Sequence, residues 1–343
     1  MTRVLNLLGA ALPRELKAAA DDNVAGFWEG RRIVDLHAGL LASLGTGWDD
    51  PAALPEDWLE RATTAACEDA LLEVLRDDFA EAPLFAVKDP RVSRLSPLWL
   101  RLLDRFGAEP SFVLLLRHPD EVARSLADRN GYGRQRSLLL WLVHLLEAER
   151  DSRGLPRAFV SYERLLDEPR AVVDAVGERL ALRWPSPPEA HRGELESFLS
   201  HAHRHHVADP GAAPDATALD RLAAEAYALA RSVAVGELAD DDPAALARFD
   251  ALAAQVRAVQ LALPVAAEAA SPAELRTELA ARTEQVAGLR ESLARSERRR
   301  RALQARLDAI ERSRAWRLAR RLRAGLRLAQ AVLPGAEGRG SGS

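Results

Sequence analysis

Residues 112–125 read Phe-Val-Leu-Leu-Leu-Arg-His-Pro-Asp-Glu-Val-Ala-Arg-Ser, and they decide the fold class. Five apolar residues without a polar break, closed by Arg117, describe a strand over Phe112–Arg117 of the kind found in a parallel sheet. Pro119 then fixes φ for a first helical turn and lacks an N–H that such a turn leaves unbonded anyway. A strand running straight into a helix is half of a repeating unit, so like units are expected on either side. Leu84–Lys88 upstream and Ala158–Tyr162 downstream read as two further strands. Helical patterns occupy the intervals, at Leu95–Phe106, Pro119–Ala127 and Arg136–Arg150. Strands alternating with helices predict an α/β fold with a parallel sheet flanked by helices. Val4, Leu5, Leu8 and Leu12 recur at helical spacing and predict a packed N-terminal helix rather than a signal peptide.

Composition narrows the function classes. A chain of 343 residues that is 48% hydrophobic is long enough for a sizeable core plus an appendage and is not a disordered polymer. Its net charge of −4, from 47 basic and 51 acidic side chains, excludes a whole-surface field built for nucleic acid. The single cysteine, Cys67, excludes a disulfide framework or a Cys-rich metal site and fits a cytoplasmic protein. Residues 138–146, the longest apolar run, reach about half of the ~20 residues a bilayer span needs, so no transmembrane helix is predicted.

The texture changes after about residue 205. The α/β region is assigned to residues 1–207 and an Ala- and Leu-rich α-helical region to 208–270. A coiled coil follows over 271–312, where Leu275, Leu279, Val286, Leu289, Leu293, Leu303, Leu307 and Ile310 alternate steps of four and three. Arg282, Ser296 and Arg300 interrupt this seam, and homodimer pairing through 275–310 stands beside packing on the protein's own helices. Over 313–333, leucines on one face and arginines off it describe a basic amphipathic helix. Such a helix suits an anionic membrane surface and equally a solvated coiled-coil end. A disordered tail is expected over 334–343.

In an open α/β sheet, ligands gather at the carboxyl ends of the strands. Here those ends are polar: Lys88-Asp-Pro-Arg91, Arg117-His-Pro-Asp120 and Ser161-Tyr-Glu-Arg164. Converging cations suggest a phosphate-bearing ligand. Arg117 offers a fork of donors, and Ser125, on the helix that Pro119 opens, adds a hydroxyl. Lys88 stands out as one of only two lysines, with Lys17. The histidines at 201, 203, 205 and 206 have loose spacing and no matching carboxylates, so no metal site is expected.

On these residues the chain resembles the sulfotransferases that use 3′-phosphoadenosine 5′-phosphosulfate (PAPS), particularly bacterial members. Arg117-His-Pro-x₅-Ser125 is similar to the family's 3′-phosphate motif. Val87-Lys-Asp-Pro-Arg91, Gly26-Phe-Trp-Glu29 and Ser161-Tyr-Glu-Arg-Leu-Leu-Asp-Glu-Pro169 follow in family order. The resemblance covers roughly residues 1–205. It implies a P-loop-type fold and transfer of a sulfuryl group from PAPS, as co-substrate and without a metal, to a hydroxyl or amine. Family members open with a strand and a phosphosulfate-binding loop, whereas this chain opens inside the following helix. Either that piece precedes Met1 or the chain is a degenerate homologue; the first is expected, because losing a central strand leaves a gap few domains survive.

The resemblance assigns Glu29 as the base and Lys88 to the leaving phosphate, with Arg117, Ser125 and Tyr162 binding the nucleotide. Plainer readings stand beside three of these: Glu29 as a surface or capping carboxylate next to Trp28, Lys88 in a salt bridge to Asp89, and Tyr162 as a core aromatic. Arg91 either pairs with Asp89 or meets the acceptor. The loops Gly45–Trp58 and Arg129–Arg136 are expected to shape the acceptor site. Two function classes follow: a sulfotransferase acting on a cell-envelope carbohydrate or glycolipid, cytoplasmic and peripheral to the membrane's inner face, or an inactive sulfotransferase-like domain that scaffolds partners through its coiled coil. A P-loop kinase ranks below both, since no Walker motif is present.

Overall fold

The computed structural model describes residues 1–18, 26–199 and 216–262, together with Arg298. The chain divides into two units, Met1–Val265 and Ala266–Ser343, and all described residues but Arg298 belong to the first. The expected coiled coil, basic helix and tail, like the histidines at 201–206, lie outside the described residues, Arg298 apart.

The described part is an α/β protein, mostly helical. In chain order come α1 (Thr2–Leu7), α2 (Arg31–Ser43), α3 (Ala62–Phe79), α4 (Val92–Phe106), β1 (Phe112–Leu116), α5 (Pro119–Asn130), α6 (Arg134–Asp151) and β2 (Arg157–Ser161). Then follow α7 (Tyr162–Asp167), α8 (Pro169–Arg179), α9 (Arg192–Phe198), α10 (Ala218–Ala234) and α11 (Pro243–Ala262). No helix among the described residues is long and apolar enough to cross a membrane.

β1 and β2 run parallel, with Phe112 opposite Arg157 and Leu116 opposite Ser161. Two of the three expected strands are thus present. The third, Leu84–Lys88, is not a strand of this sheet: its ladder is a single parallel bridge from Phe85 to Ala11. An apolar run specifies an extended, buried path, but a strand also needs a neighbour along its length.

Helix limits follow local chemistry. His118 caps α5, its Nδ1 accepting from the Asp120 N–H, and Pro119 occupies the first helical position. Gly131, at φ 70°, ends α5 in the left-handed conformation that other residues resist. Arg157 is buried at the first position of β2 because it is a joint. Its guanidinium donates to the Glu149 carbonyl (2.7 Å) and carboxylate (3.2 Å) at the end of α6 and to the Asp240 carbonyl between α10 and α11. Glu68, buried on α3, similarly takes Arg101 and Arg105 of α4 at 2.6 Å each.

The α-helical region expected over 208–270 shares the core of the α/β part as far as it is described. Ala223, Ala226, Leu229 and Ala230 of α10 and Phe249, Leu252 and Val256 of α11 bury against Leu116, Leu138, Leu142 and Phe159. They cover a face that parallel strands cannot leave wet. Phe249 stacks on Phe159 with ring centroids 6.4 Å apart. Phe249→Ala is therefore expected to lower the unfolding free energy by about 3–5 kcal/mol in urea titrations; a loss within the scatter of surface substitutions would show that α11 is dispensable.

Candidate functional site

The register of the sheet builds the site. Arg117 and Tyr162 each follow the last paired residues of their strands, Leu116 and Ser161, so they emerge side by side. The Arg117 guanidinium lies 5.2 Å from the centre of the Tyr162 ring, within cation–π range. Its Nε donates to buried Glu121 one helical turn on, at 3.0 Å. Arg117, Ser125, Tyr162 and Lys88 all line one cleft of about 1780 Å³. Four of the five residues singled out from sequence thus meet there.

The fifth, Glu29, adjoins the cleft through Lys88, whose Nζ donates to Glu29 Oε1 at 2.5 Å and to the Phe27 carbonyl at 3.3 Å. Glu29 is only 4% exposed, which corrects the reading of it as a surface carboxylate. Lys88 pairs with Glu29 and not with Asp89, which corrects the second plain reading. Lys17 stands 3.9 Å from the same carboxylate. Beside this pair, Trp28 holds φ at +56°, strained for a bulky residue, and its buried indole N–H lacks a hydrogen-bond partner among the described residues. Tyr162 is partly buried against the apolar cluster beneath the sheet, so it is both a cleft residue and a core residue.

Arg91 resolves to the structural side: its Nη1 and backbone N–H both donate to Asp89 Oδ1, at 2.9 and 3.0 Å. The other Asp89 oxygen meets His37 Nδ1 at 2.7 Å, while His37 Nε2 accepts from the Trp99 indole at 2.9 Å. This buried chain ties α2, the Lys88 segment and α4 together and orients the backbone that carries Lys88. The two loops expected to shape the acceptor site are joined: the Tyr132 hydroxyl donates to Asp49, as does Arg136 at 3.0 Å. Arg94 secures the first loop from below, donating to the carbonyls of Asp50 (2.7 Å) and Ala52 (2.5 Å).

Several of these residues carry no local signal in the sequence. His144, on α6, places its ring nitrogens 3.1 Å from the Pro90 carbonyl and 3.4 Å from that of Trp48. Burial, then the charge of Arg94, lowers its pKa to about 4, so the imidazole is neutral at pH 7. Tyr227 of α10 packs edge-on against His118 and reaches Glu163 at 3.3 Å. Among the described residues, no group of three or more His, Cys, Asp or Glu is placed to hold a metal ion.

Comparison with known proteins adds no neighbour: no family model, curated protein or solved structure matches the chain.

Burial opposes the charge on Asp89, but the His37 hydrogen bond and the Arg91 charge outweigh it and hold the pKa at about 2. A carboxyl held below its unfolded value of ~3.9 contributes stability above that value and loses it as pH falls through the folded pKa. Asp89→Asn is expected to remove about 2 kcal/mol from the loss of stability between about pH 4 and pH 2. Urea unfolding across that range checks this; identical acid slopes in the two proteins would count against it.

Proposed function

We propose that the protein is a PAPS-dependent sulfotransferase with a P-loop-type nucleotide-binding fold. The observation that carries this reading is the convergence of Lys88, Arg117, Ser125 and Tyr162 on one cleft at the carboxyl ends of the strands. In this reading Arg117 and Ser125 hold the 3′-phosphate and the Tyr162 ring supports the adenosine.

Sulfuryl transfer is akin to phosphoryl transfer, in which positioning and cations on the leaving oxygens carry most of the catalysis. The acceptor oxygen attacks sulfur as the bond from sulfur to the phosphate oxygen breaks. Glu29 takes the acceptor's proton, and Lys88 leaves Glu29 to neutralise the departing phosphate. Cell-envelope carbohydrate or glycolipid is the acceptor class in this reading, shaped by the joined loops around Asp49 and Tyr132. The enzyme works in the cytoplasm beside the membrane, with residues 275–310 pairing two chains as a coiled coil and 313–333 meeting anionic lipid.

One observation favours the second reading, an inactive domain that scaffolds partners. Glu29 and Lys88 neutralise each other in the structure, which leaves neither base nor leaving-group cation unpaired. Calorimetric titration of the full-length natural protein with adenosine 3′,5′-bisphosphate separates the two. The enzyme reading expects saturable binding that Arg117→Ala weakens about 30-fold, the equivalent of a charge-assisted hydrogen-bond pair worth ~2 kcal/mol. Absence of binding, or binding indifferent to Arg117→Ala, overturns it in favour of the scaffold.

A further inference from the structure

Lys17 and Lys88 are the only lysines among 47 basic side chains, and both face the same buried carboxylate. Lys88 Nζ donates to Glu29 Oε1 at 2.5 Å, and Lys17 Nζ stands 3.9 Å from Oε2. The buried acids Glu68, Glu149 and Asp89 are met by arginine instead. The difference is chemical. A guanidinium grips a carboxylate with a rigid planar fork, whereas an ammonium is a point charge on a flexible stem whose three donors rotate.

The backbone sets Lys17 in place. Leu16 and Gly30 form an antiparallel bridge, in which the Lys17 N–H donates to the Glu29 carbonyl and the Arg31 N–H to the Glu15 carbonyl, each at 2.8 Å. Lys17 and Glu29 are thereby cross-strand neighbours, near enough for their side chains to pair. The bridge needs glycine at 30, since a Cβ there would stand 2.7 Å from Pro13 Cγ. The Lys17 ammonium lies 4.2 Å from the centre of the Phe27 ring, within cation–π range, and the Phe27 carbonyl accepts from Lys88 at 3.3 Å. Both ammonium-bearing side chains are partly exposed, while that of Glu29 is buried.

We infer that Lys17 is a positioning residue for Glu29, a second counter-ion that closes on the carboxylate when Lys88 turns to an anion in the cleft. This rests on the reading of Glu29 as base and Lys88 as leaving-group cation. That reading requires Lys88 to leave Glu29, and a buried carboxylate stripped of its partner is costly. Lys17 removes the cost from the other side: Oε2 gains a hydrogen bond as Oε1 loses one, so Oε1 meets the acceptor's proton with the carboxylate still charged and held in place. The neutral pair of Glu29 and Lys88 is then the resting arrangement of the exchange and not a sign of inactivity.

With two lysines in the chain, nuclear magnetic resonance of the full-length protein made with nitrogen-15 lysine reads both ammonium groups, and Lys17→Arg assigns them. In Lys88→Met, the Lys17 ammonium is expected to exchange protons with water at least ~10-fold more slowly than in the double variant Lys88→Met, Glu29→Gln, because it holds the carboxylate. In the unsubstituted protein, adenosine 3′,5′-bisphosphate is expected to shift the Lys88 signal and to slow exchange at Lys17 together. A Lys17 ammonium that exchanges equally fast in Lys88→Met and in the double variant overturns the inference, as does nucleotide that moves Lys88 and leaves Lys17 unchanged. Slow exchange at Lys17 in Lys88→Met, with no binding of the nucleotide, upholds the change of counter-ion and removes the sulfotransferase reading alone.

Discussion

The parallel pairing of Phe112–Leu116 with Arg157–Ser161 is the constraint on which the rest of the described structure depends. Parallel neighbours cannot be joined by a tight turn, so the chain spends α5 and α6 on the crossover. Parallel strands also need cover on both faces. Leu114 and Leu116 lean on α6, α10 and α11, while Val113 and Val160 rest on α1, α7 and α8. The same register sets Arg117 beside Tyr162 at the strand ends, which brings two residues 45 positions apart in a chain of 343 to one cleft.

Arginine joints hold the layers together. Glu149, Glu68 and Asp89 are buried acids, and each meets at least one arginine from a different part of the chain or the same turn. Buried carboxylates of this kind add little net stability over apolar packing, yet leaving one unpaired is costly. Their effect is therefore on geometry: α6 is set against β2, α3 against α4, and the Lys88 segment against α2. The pair between Glu29 and Lys88 differs, because its cation is partly exposed while its carboxylate is buried.

Much of this was legible in the sequence, and the misses share a physical reason. The apolar runs read as strands over 112–117 and 158–162 form them at Phe112–Leu116 and Arg157–Ser161, and Pro119 marked the start of α5, because those signals are local. Leu84–Lys88 has the same apolar texture, but whether such a run becomes a ladder depends on what lies beside it, and among the described residues its bridge is a single one, to Ala11. The helices after residue 217 looked like a separate region because Ala- and Leu-rich faces do not announce their partner; that partner proved to be α6 and the strands. The plainer reading of Lys88 set it against its chain neighbour Asp89, and it instead meets Glu29, 59 residues away. Asp89 was already taken by His37 and Arg91.

By itself, then, the sequence indicated the α/β class, two of the three strands read from it, the start of α5 at Pro119 and the cations that close the three apolar runs. Each of these rests on backbone conformation and hydrophobic periodicity, which act over a few residues. Tertiary structure alone decided which acid each cation faces, that Tyr227 reaches Glu163 and His144 reaches the Pro90 carbonyl from distant helices, and that Leu84–Lys88 bridges to Ala11 and does not join the sheet. Those outcomes depend on burial and on competition among partners far apart in the chain, and no local pattern of residues encodes them.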